Sequence, residues 1–134
     1  IERIEGGLLS YGNEMTRENN PLEMGMGKFC SLDGTVDYIG RKALEDIALK
    51  GPDRKIHGVL FGGPSCPTCS IPWPVKHNDT IIGQITSGIY SPRLEHNVGV
   101  GLITKGYWNI GLEVSVILPD GQKRRGELSN LPFN

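Results

Sequence analysis

The second part of the chain is divided into short β-type runs by Gly, Pro, Asn and Asp residues. The runs that follow Gly51-Pro52 are Lys55–Phe61, Pro74–His77, Ile81–Thr86, Asn97–Ile103, Leu112–Leu118 and Lys123–Leu128. Asn78-Asp79 and Pro119-Asp120-Gly121 have the composition of hairpin turns. Because no helical pattern separates the runs, they predict an antiparallel sheet that closes into a barrel or folds in a jelly-roll-like way. We therefore assign residues 53–134 to a C-terminal β-barrel domain.

The first part of the chain, residues 1–52, has a different sequence pattern. Apolar residues recur at three- and four-residue spacing over residues 39–50, and Gly51-Pro52 follows, which predicts a helix with a firm end. The glycines that alternate with larger residues in Met24–Cys30 predict a short strand packed closely against another backbone. Residues 1–52 are thus expected to be the end of another domain with a linking helix, and the overall class is α+β.

The low net charge and the lack of targeting signals argue against binding to nucleic acids or membranes. The formal net charge is −1, so the chain lacks the basic surface that nucleic acids or anionic membranes require. It opens on Ile1 without an initiator Met, a signal peptide or an apolar run long enough to span a membrane. We expect a cytoplasmic chain that is part of a longer protein and has no nucleic-acid or membrane partner.

Cys66 and Cys69 have the spacing of a zinc knuckle or a thiol redox site. A structural zinc site needs four ligands, and no second pair is present. We expect a plain loop that binds no metal, while a metal site or an adventitious disulfide stays open. His57, His77 and His96 are spaced as strand or turn residues, so we expect them to be structural or solvated and assign no catalytic residue. The other candidate ligands are scattered along the chain: Cys30, His57, His77 and His96.

Several short motifs follow one another along nearly the whole chain. The first is Arg3-Ile4-Glu5-Gly6-Gly7-Leu8, which runs into Tyr11-Gly12-Asn13. The later motifs are Asn20-Pro21-Leu22-Glu23, Tyr38–Leu44, Thr86-Ser87-Gly88 with Ser91-Pro92, and Asn97–Gly101. Together they resemble the folate-binding and C-terminal parts of the glycine cleavage T-protein family.

The resemblance implies a cofactor and two site residues. It makes residues 1–52 the end of a folate-binding α/β domain and makes tetrahydrofolate the cofactor. Glu5 would hold the pteridine ring, since a carboxylate can accept two parallel hydrogen bonds. Tyr11 would shape the nearby wall. The family's catalytic carboxylate would lie upstream of Ile1, so the implied partners are a small one-carbon donor and the upstream part of the same protein.

Departures from the family pattern point to one branch. The acidic stretch Ser31–Asp37 stands where aminomethyltransferases often carry a basic one. Pro72–Val75 and Leu8–Gly12 look closer to the dimethylsulfoniopropionate demethylase branch, which passes a sulfonium methyl group to tetrahydrofolate. Such a methyl group is already electrophilic, so the enzyme needs positioning and desolvation more than acid–base help. The alternatives are a glycine cleavage aminomethyltransferase, the folate-binding tail of a dimethylglycine or sarcosine dehydrogenase, and a non-catalytic binding module.

Overall fold

The structure is a computed structural model, and it describes residues 1–133. Two short helical elements and one longer helix come first, and strands make up most of the remainder. The elements in chain order are helix α1 (Glu2–Glu5), a 3-10 turn (Gly27–Phe29), helix α2 (Arg41–Lys50), and strands β1 (Arg54–Phe61), β2 (Trp73–His77), β3 (Thr80–Ser91), β4 (His96–Thr104), β5 (Glu113–Ile117) and β6 (Lys123–Ser129).

The six strands form a closed barrel in the order β1-β4-β3-β2-β5-β6, and every neighbouring pair is antiparallel. Strand β1 closes the barrel because it pairs with both β4 and β6. Asn78 and Asp79 have positive φ values of 48° and 66°, as the tight turn between β2 and β3 requires. The antiparallel barrel predicted from the short runs is confirmed.

Two apolar clusters lie on opposite sides of the barrel wall. The interior cluster contains Val59, Phe61, Trp73, Val75, Ile82, Ile85, Ile103, Val114, Val116, Leu118 and Leu128. The outer cluster joins Val98 and Val100 of β4 to Ile4 of α1 and to Phe133 near the end of the chain. Helix α1 and the C-terminal segment therefore cover the outer face of β4.

The predicted strand at Met24–Cys30 is wrong. Gly25 has a φ of 71°, which breaks an extended backbone. The segment instead bonds to itself, since the backbone N–H of Cys30 donates to the carbonyl of Gly27 at 3.0 Å. Helix α2 begins at Arg41, because Gly40 before it has a φ of 85°. Among the described residues, no helix has the length and apolar character needed to cross a membrane.

Candidate functional site between helix α1 and strand β3

A bulge in β3 determines which residues of that strand face α1. Ile85 lies opposite Gly101, whereas Ser87 lies opposite Val100, so one extra residue is inserted between them in β3. Side chains alternate along a strand, and the insertion therefore turns Ser87 to the outer face that Val100 occupies. The bulge brings a hydroxyl group beneath the residues that come before the barrel.

Glu14 meets that hydroxyl as a buried carboxylate, with none of its side chain exposed. Its Oε1 accepts a hydrogen bond from Ser87 Oγ. Its Oε2 accepts from the backbone N–H of Ser10 at 2.7 Å and from Arg3 Nη1 at 3.2 Å. A buried charge is costly unless it is paired and hydrogen-bonded, and here one cation and two neutral donors meet both conditions.

Arg3 contacts both Glu14 and Ser87, and it also lines a cleft. Its Nη1 also donates to the carbonyl of Leu8 at 2.8 Å, and its Nη2 donates to Ser87 Oγ at 3.0 Å. Within residues 1–133, Nε of Arg3 donates to no protein acceptor, and 37% of the side chain is exposed. The cleft that Arg3 lines measures about 280 Å³. The other lining residues are Ile4, Asn13, Cys66, Pro67, Thr68, Cys69, Ser87, Gly88 and Ile89.

The loop from Gly62 to Cys69 forms the opposite wall, and Asn97 holds it in place. Asn97 is fully buried, and its Oδ1 accepts from the backbone N–H of Cys66 at 2.7 Å. Its Nδ2 contacts the carbonyls of residues 62, 63 and 64 at 3.1–3.3 Å. Arg124 Nη1 also donates to the carbonyls of Gly62 and Pro64, at 3.1 and 2.7 Å, so Asn97 and Arg124 together hold this irregular loop in position.

The two cysteines of that wall are neutral thiols at neutral pH. Burial raises the pKa of Cys66. Burial, and then the neighbouring Cys66 and Glu14, raise the pKa of Cys69 to about 11. Over residues 1–133, no three His, Cys, Asp or Glu side chains cluster in a way that would hold a metal ion. The loop therefore adds neutral, weakly polar groups to a cleft whose cation is Arg3.

Glu5 lies on the same helix but outside the cleft lining. Its Oε1 accepts from Ser91 Oγ, and its Oε2 accepts from Arg93 Nε at 2.9 Å. These bonds, from Ser91 first and Arg93 second, hold the pKa of Glu5 below its ordinary value. Arg93 also donates to the carbonyl of Phe133 at 3.2 Å. Glu5 thus connects α1, the end of β3 and the C-terminal segment.

Tyr11 is exposed and also lies outside the cleft lining. Its part of the chain is a tight turn in which the N–H of Gly12 donates to the carbonyl of Met15 at 2.8 Å. This turn returns the chain toward α1 and places Asn13 at the cleft and Glu14 beneath it. The structure therefore brings Arg3, Asn13 and Ser87 together at the cleft, while Glu5 and Tyr11 lie outside its lining.

The sequence motifs contain Arg3, Asn13 and Ser87, but they predicted no role for these residues. The burial of Glu14 was not predicted either. Glu14 lies in a polar, Asn-rich stretch of the kind that is usually exposed. No local pattern marks its burial, since its partner Ser87 is 73 positions away. A signal was present only for Ser87, whose Thr86-Ser87-Gly88 motif contains the bulge residue.

The fold and this outer cleft define a class: a small closed β-barrel domain with a polar site between its outer face and the segment that comes before it. Residues 54–134 match the family model described as the glycine cleavage T-protein C-terminal barrel domain. The chain belongs to the glycine cleavage T-protein family.

Individual relatives agree with this assignment. The chain is 45% identical over 123 residues to dimethylsulfoniopropionate demethylase of Ruegeria pomeroyi, a match that covers 92% of this chain and 33% of the relative. It is 34% identical over 131 residues to an aminomethyltransferase of Symbiobacterium thermophilum, covering 98% of this chain and 34% of the relative. The higher identity to the demethylase confirms the expected resemblance to that branch.

A solved structure shares the fold. Glycine cleavage system aminomethyltransferase T from Bartonella henselae superposes with a TM-score of 0.82 at 25% identity, over 98% of this chain and 37% of that one. The chain thus spans about a third of the length of the relatives that it matches.

Proposed function

We propose that this chain is the C-terminal third of a tetrahydrofolate-dependent methyltransferase of the dimethylsulfoniopropionate demethylase type. The observation that carries the proposal is the 45% identity to the Ruegeria pomeroyi demethylase over 92% of the chain. The protein would pass a methyl group from a small sulfonium compound to tetrahydrofolate in the cytoplasm. Tetrahydrofolate, when bound, supplies the ring nitrogen that accepts the one-carbon unit.

The cleft supports this chemistry through its charge and its walls. Arg3 offers a cation with a free Nε–H toward an anionic or carbonyl group of a ligand. Ile4, Ile89 and the neutral thiols of Cys66 and Cys69 exclude water without adding a competing charge. Transfer of an electrophilic methyl group benefits from such positioning and desolvation.

Glu5 and Tyr11 remain the proposed cofactor contacts. Each carboxylate oxygen of Glu5 accepts one hydrogen bond within the chain, from Ser91 or from Arg93. An ionised carboxylate has about four acceptor sites, so capacity remains for the N–H and exocyclic amine of a pteridine. The ring of Tyr11 is 67% exposed and is available to pack against a ligand. Both residues fit the cofactor by their chemistry.

The upstream part of the same protein would complete the site. The cleft volume of about 280 Å³ lies at the small end of ligand pockets, which measure roughly 300–1,000 Å³. We propose that it is one wall of a larger cavity and that the catalytic residues lie upstream of Ile1. Residues 1–134 alone would then transfer no one-carbon unit.

The test uses the full-length protein in calorimetric titrations with tetrahydrofolate. Wild type should bind, and Arg3→Gln, Glu5→Ala and Glu5→Gln should each weaken binding. Loss of one charge-assisted hydrogen bond corresponds to about ten- to a hundred-fold in affinity. Glu5→Gln should weaken binding at least as much as Glu5→Ala, because its amide places a donor opposite a donor of the ring.

Two control variants separate ligand contact from structural damage. Arg17 is exposed and forms no ion pair among the described residues, so Arg17→Gln should bind normally. Arg93→Gln breaks the ion pair of Glu5 but keeps its carboxylate. Equal losses in Glu5→Gln and Arg93→Gln would mean that Glu5 only braces the fold. Wild type that binds no tetrahydrofolate would favour a non-catalytic module.

Turnover assays distinguish the enzymes of this family. Methyl transfer from dimethylsulfoniopropionate supports the proposal, whereas transfer only from an aminomethyl donor supports the aminomethyltransferase at 34% identity. A tightly bound flavin in the full-length protein would indicate the dehydrogenase alternative.

A further inference from the structure

Glu14 is a buried carboxylate that the proposed function does not use, and it contacts Arg3 directly. We propose that Glu14 is a positioning residue, which holds the guanidinium of Arg3 at the cleft in the orientation that receives the ligand. The inference rests on the proposed function, since it concerns how Arg3 meets tetrahydrofolate or the one-carbon donor.

Arg3 needs such support because its own helix is short. Helix α1 has four residues, and Arg3 has a long side chain with many accessible rotamers. Its anchors all come from outside the helix: Glu14, Ser87 and the carbonyl of Leu8. Together they accept from three of the five N–H groups of the guanidinium, two on Nη1 and one on Nη2. The Nε–H and the second N–H of Nη2 therefore remain for a ligand within the described residues, and the three anchors determine their direction.

Ser87 is the second part of the arrangement, and Glu14 orients it as well. The hydroxyl of Ser87 donates to Glu14 and accepts from Arg3 Nη2. A hydroxyl has one proton, so the bond to Glu14 directs the oxygen lone pairs of Ser87 toward Arg3. Glu14 thus acts on Arg3 in two ways, by a direct ion pair and through the Ser87 hydroxyl.

Glu14→Gln isolates the charge with little change of shape. Its amide oxygen can still accept from Ser10, but the amide nitrogen then faces the Ser87 hydroxyl as a donor. The ion pair with Arg3 is lost, and the hydroxyl of Ser87 has to turn. Glu23 provides a matched control, because it is also a buried carboxylate paired with an arginine, Arg54 at 3.5 Å, and it does not line the cleft.

The experiment measures tetrahydrofolate affinity and thermal unfolding of the full-length protein for Glu14→Gln, Arg3→Gln, the double variant and Glu23→Gln. We expect Glu14→Gln to raise Kd about ten-fold, the size of one charge-assisted hydrogen bond. The double variant should bind no more weakly than Arg3→Gln, because Glu14 acts through Arg3. Glu23→Gln should lower Tm without changing Kd.

Other results would overturn the inference. Wild-type affinity in Glu14→Gln, or losses that add in the double variant, would show that Glu14 does not act through Arg3. If Arg3→Gln weakens binding, these outcomes reject the positioning role alone. If wild type binds no tetrahydrofolate, or Arg3→Gln binds it normally, the proposed role of Arg3 as a ligand contact is rejected, and the positioning role of Glu14 is rejected with it. Should Glu14→Gln not fold, Ser87→Ala tests the same relationship, and an unchanged Kd in that variant rejects it.

Discussion

Oε2 of Glu5 accepts a hydrogen bond of 2.9 Å from Nε of Arg93, a residue 88 positions further along the chain. Ser91 donates to the other carboxylate oxygen. Since Arg93 also donates to the carbonyl of Phe133, the Glu5–Arg93 ion pair joins three distant segments of the chain. The helix that carries the family motif is thereby attached to the barrel by polar contacts as well as by Ile4.

The first prediction concerns the pH dependence of this contact. The pKa of Glu5 is lowered from its ordinary value of 4.5 by Ser91 and Arg93. Glu5 therefore stabilises the fold above that value, and this contribution is lost as the pH falls through the lowered pKa. Glu5→Gln should lower Tm at neutral pH, and the difference from wild type should vanish in acid. Thermal scans over a pH series check this.

Glu2→Gln is the control for that series, since Glu2 is an exposed acid of the same helix. Its Tm should follow that of wild type at every pH. A Glu5→Gln deficit that is as large in strong acid as at neutral pH would contradict the electrostatic explanation.

The second prediction concerns the close approach of β3 and β4. A Cβ atom added at Gly101 would lie 1.9 Å from the carbonyl oxygen of Gln84, so the strands would have to separate. Overpacking a core costs about 1–3 kcal/mol, and a clash with the backbone belongs at the upper end. Gly101→Ala should therefore lower the free energy of unfolding by about 3 kcal/mol in denaturant titrations.

Gly62→Ala provides the comparison, because the nearest atom to its added Cβ would be 3.9 Å away. This variant should unfold within about 0.5 kcal/mol of wild type. Equal stability of the two variants would show that the barrel wall adjusts easily at Gly101.

The third prediction concerns Asn97 and the loop that it holds. Asn97→Ala leaves the N–H of Cys66 and the carbonyl of Gly63 without their partner, which should cost about 3 kcal/mol, whereas the carbonyls of Gly62 and Pro64 keep Arg124. Asn97→Asp should be at least as destabilising, because its second oxygen faces those carbonyls. Both variants should expose Cys66 to thiol reagents faster than wild type does.

Unfolding titrations and labelling rates followed by peptide mapping measure both effects. Asn109→Ala, at an exposed position, should change neither. If Asn97→Asp were as stable as wild type, the hydrogen bonds of Asn97 would not account for the position of the loop.

The fourth prediction concerns Cys69, whose pKa is raised to about 11, mainly by burial. Only the thiolate reacts with iodoacetamide, so alkylation of Cys69 in the native protein should be slow at neutral pH. The rate should continue to rise with pH toward about 11. Peptide mapping by mass spectrometry gives the rate for this residue, with the denatured protein as the reference for an ordinary thiol. A native rate that levels off near pH 8.5, the ordinary thiol value, would contradict the burial effect.

The fifth prediction is that Cys66 and Cys69 bind no metal. Two thiolates without further ligands cannot complete the tetrahedral shell of zinc. Metal analysis of protein purified without chelator should find no stoichiometric zinc. Zinc that is present in wild type and lost in Cys66→Ser would overturn the prediction.

Local chemistry explains why much of the fold was predictable. The β-type runs, the Asn78-Asp79 turn and the stop at Gly51 depend on neighbouring residues, and five of the six strands lie within one residue of the expected bounds. Strand β3 is the exception, because it continues five residues beyond the predicted end at Thr86, to Ser91. The order of the motifs likewise identified the family. The segment Met24–Cys30 failed because its alternating glycines permit a turn as readily as a close-packed strand.

The sequence by itself determined the barrel class, a helix that ends at Lys50 and the family, because periodicity, turn residues and motif order are properties of short stretches. The helix begins at Arg41, however, and not at the predicted residue 39. The tertiary structure alone decided the site. Ser87 faces α1 because β3 is shifted by one residue against β4, and Glu14 is buried where that hydroxyl, Arg3 and the N–H of Ser10 all donate to it. Strand register and burial depend on contacts between residues far apart in the chain, and no local pattern contains them.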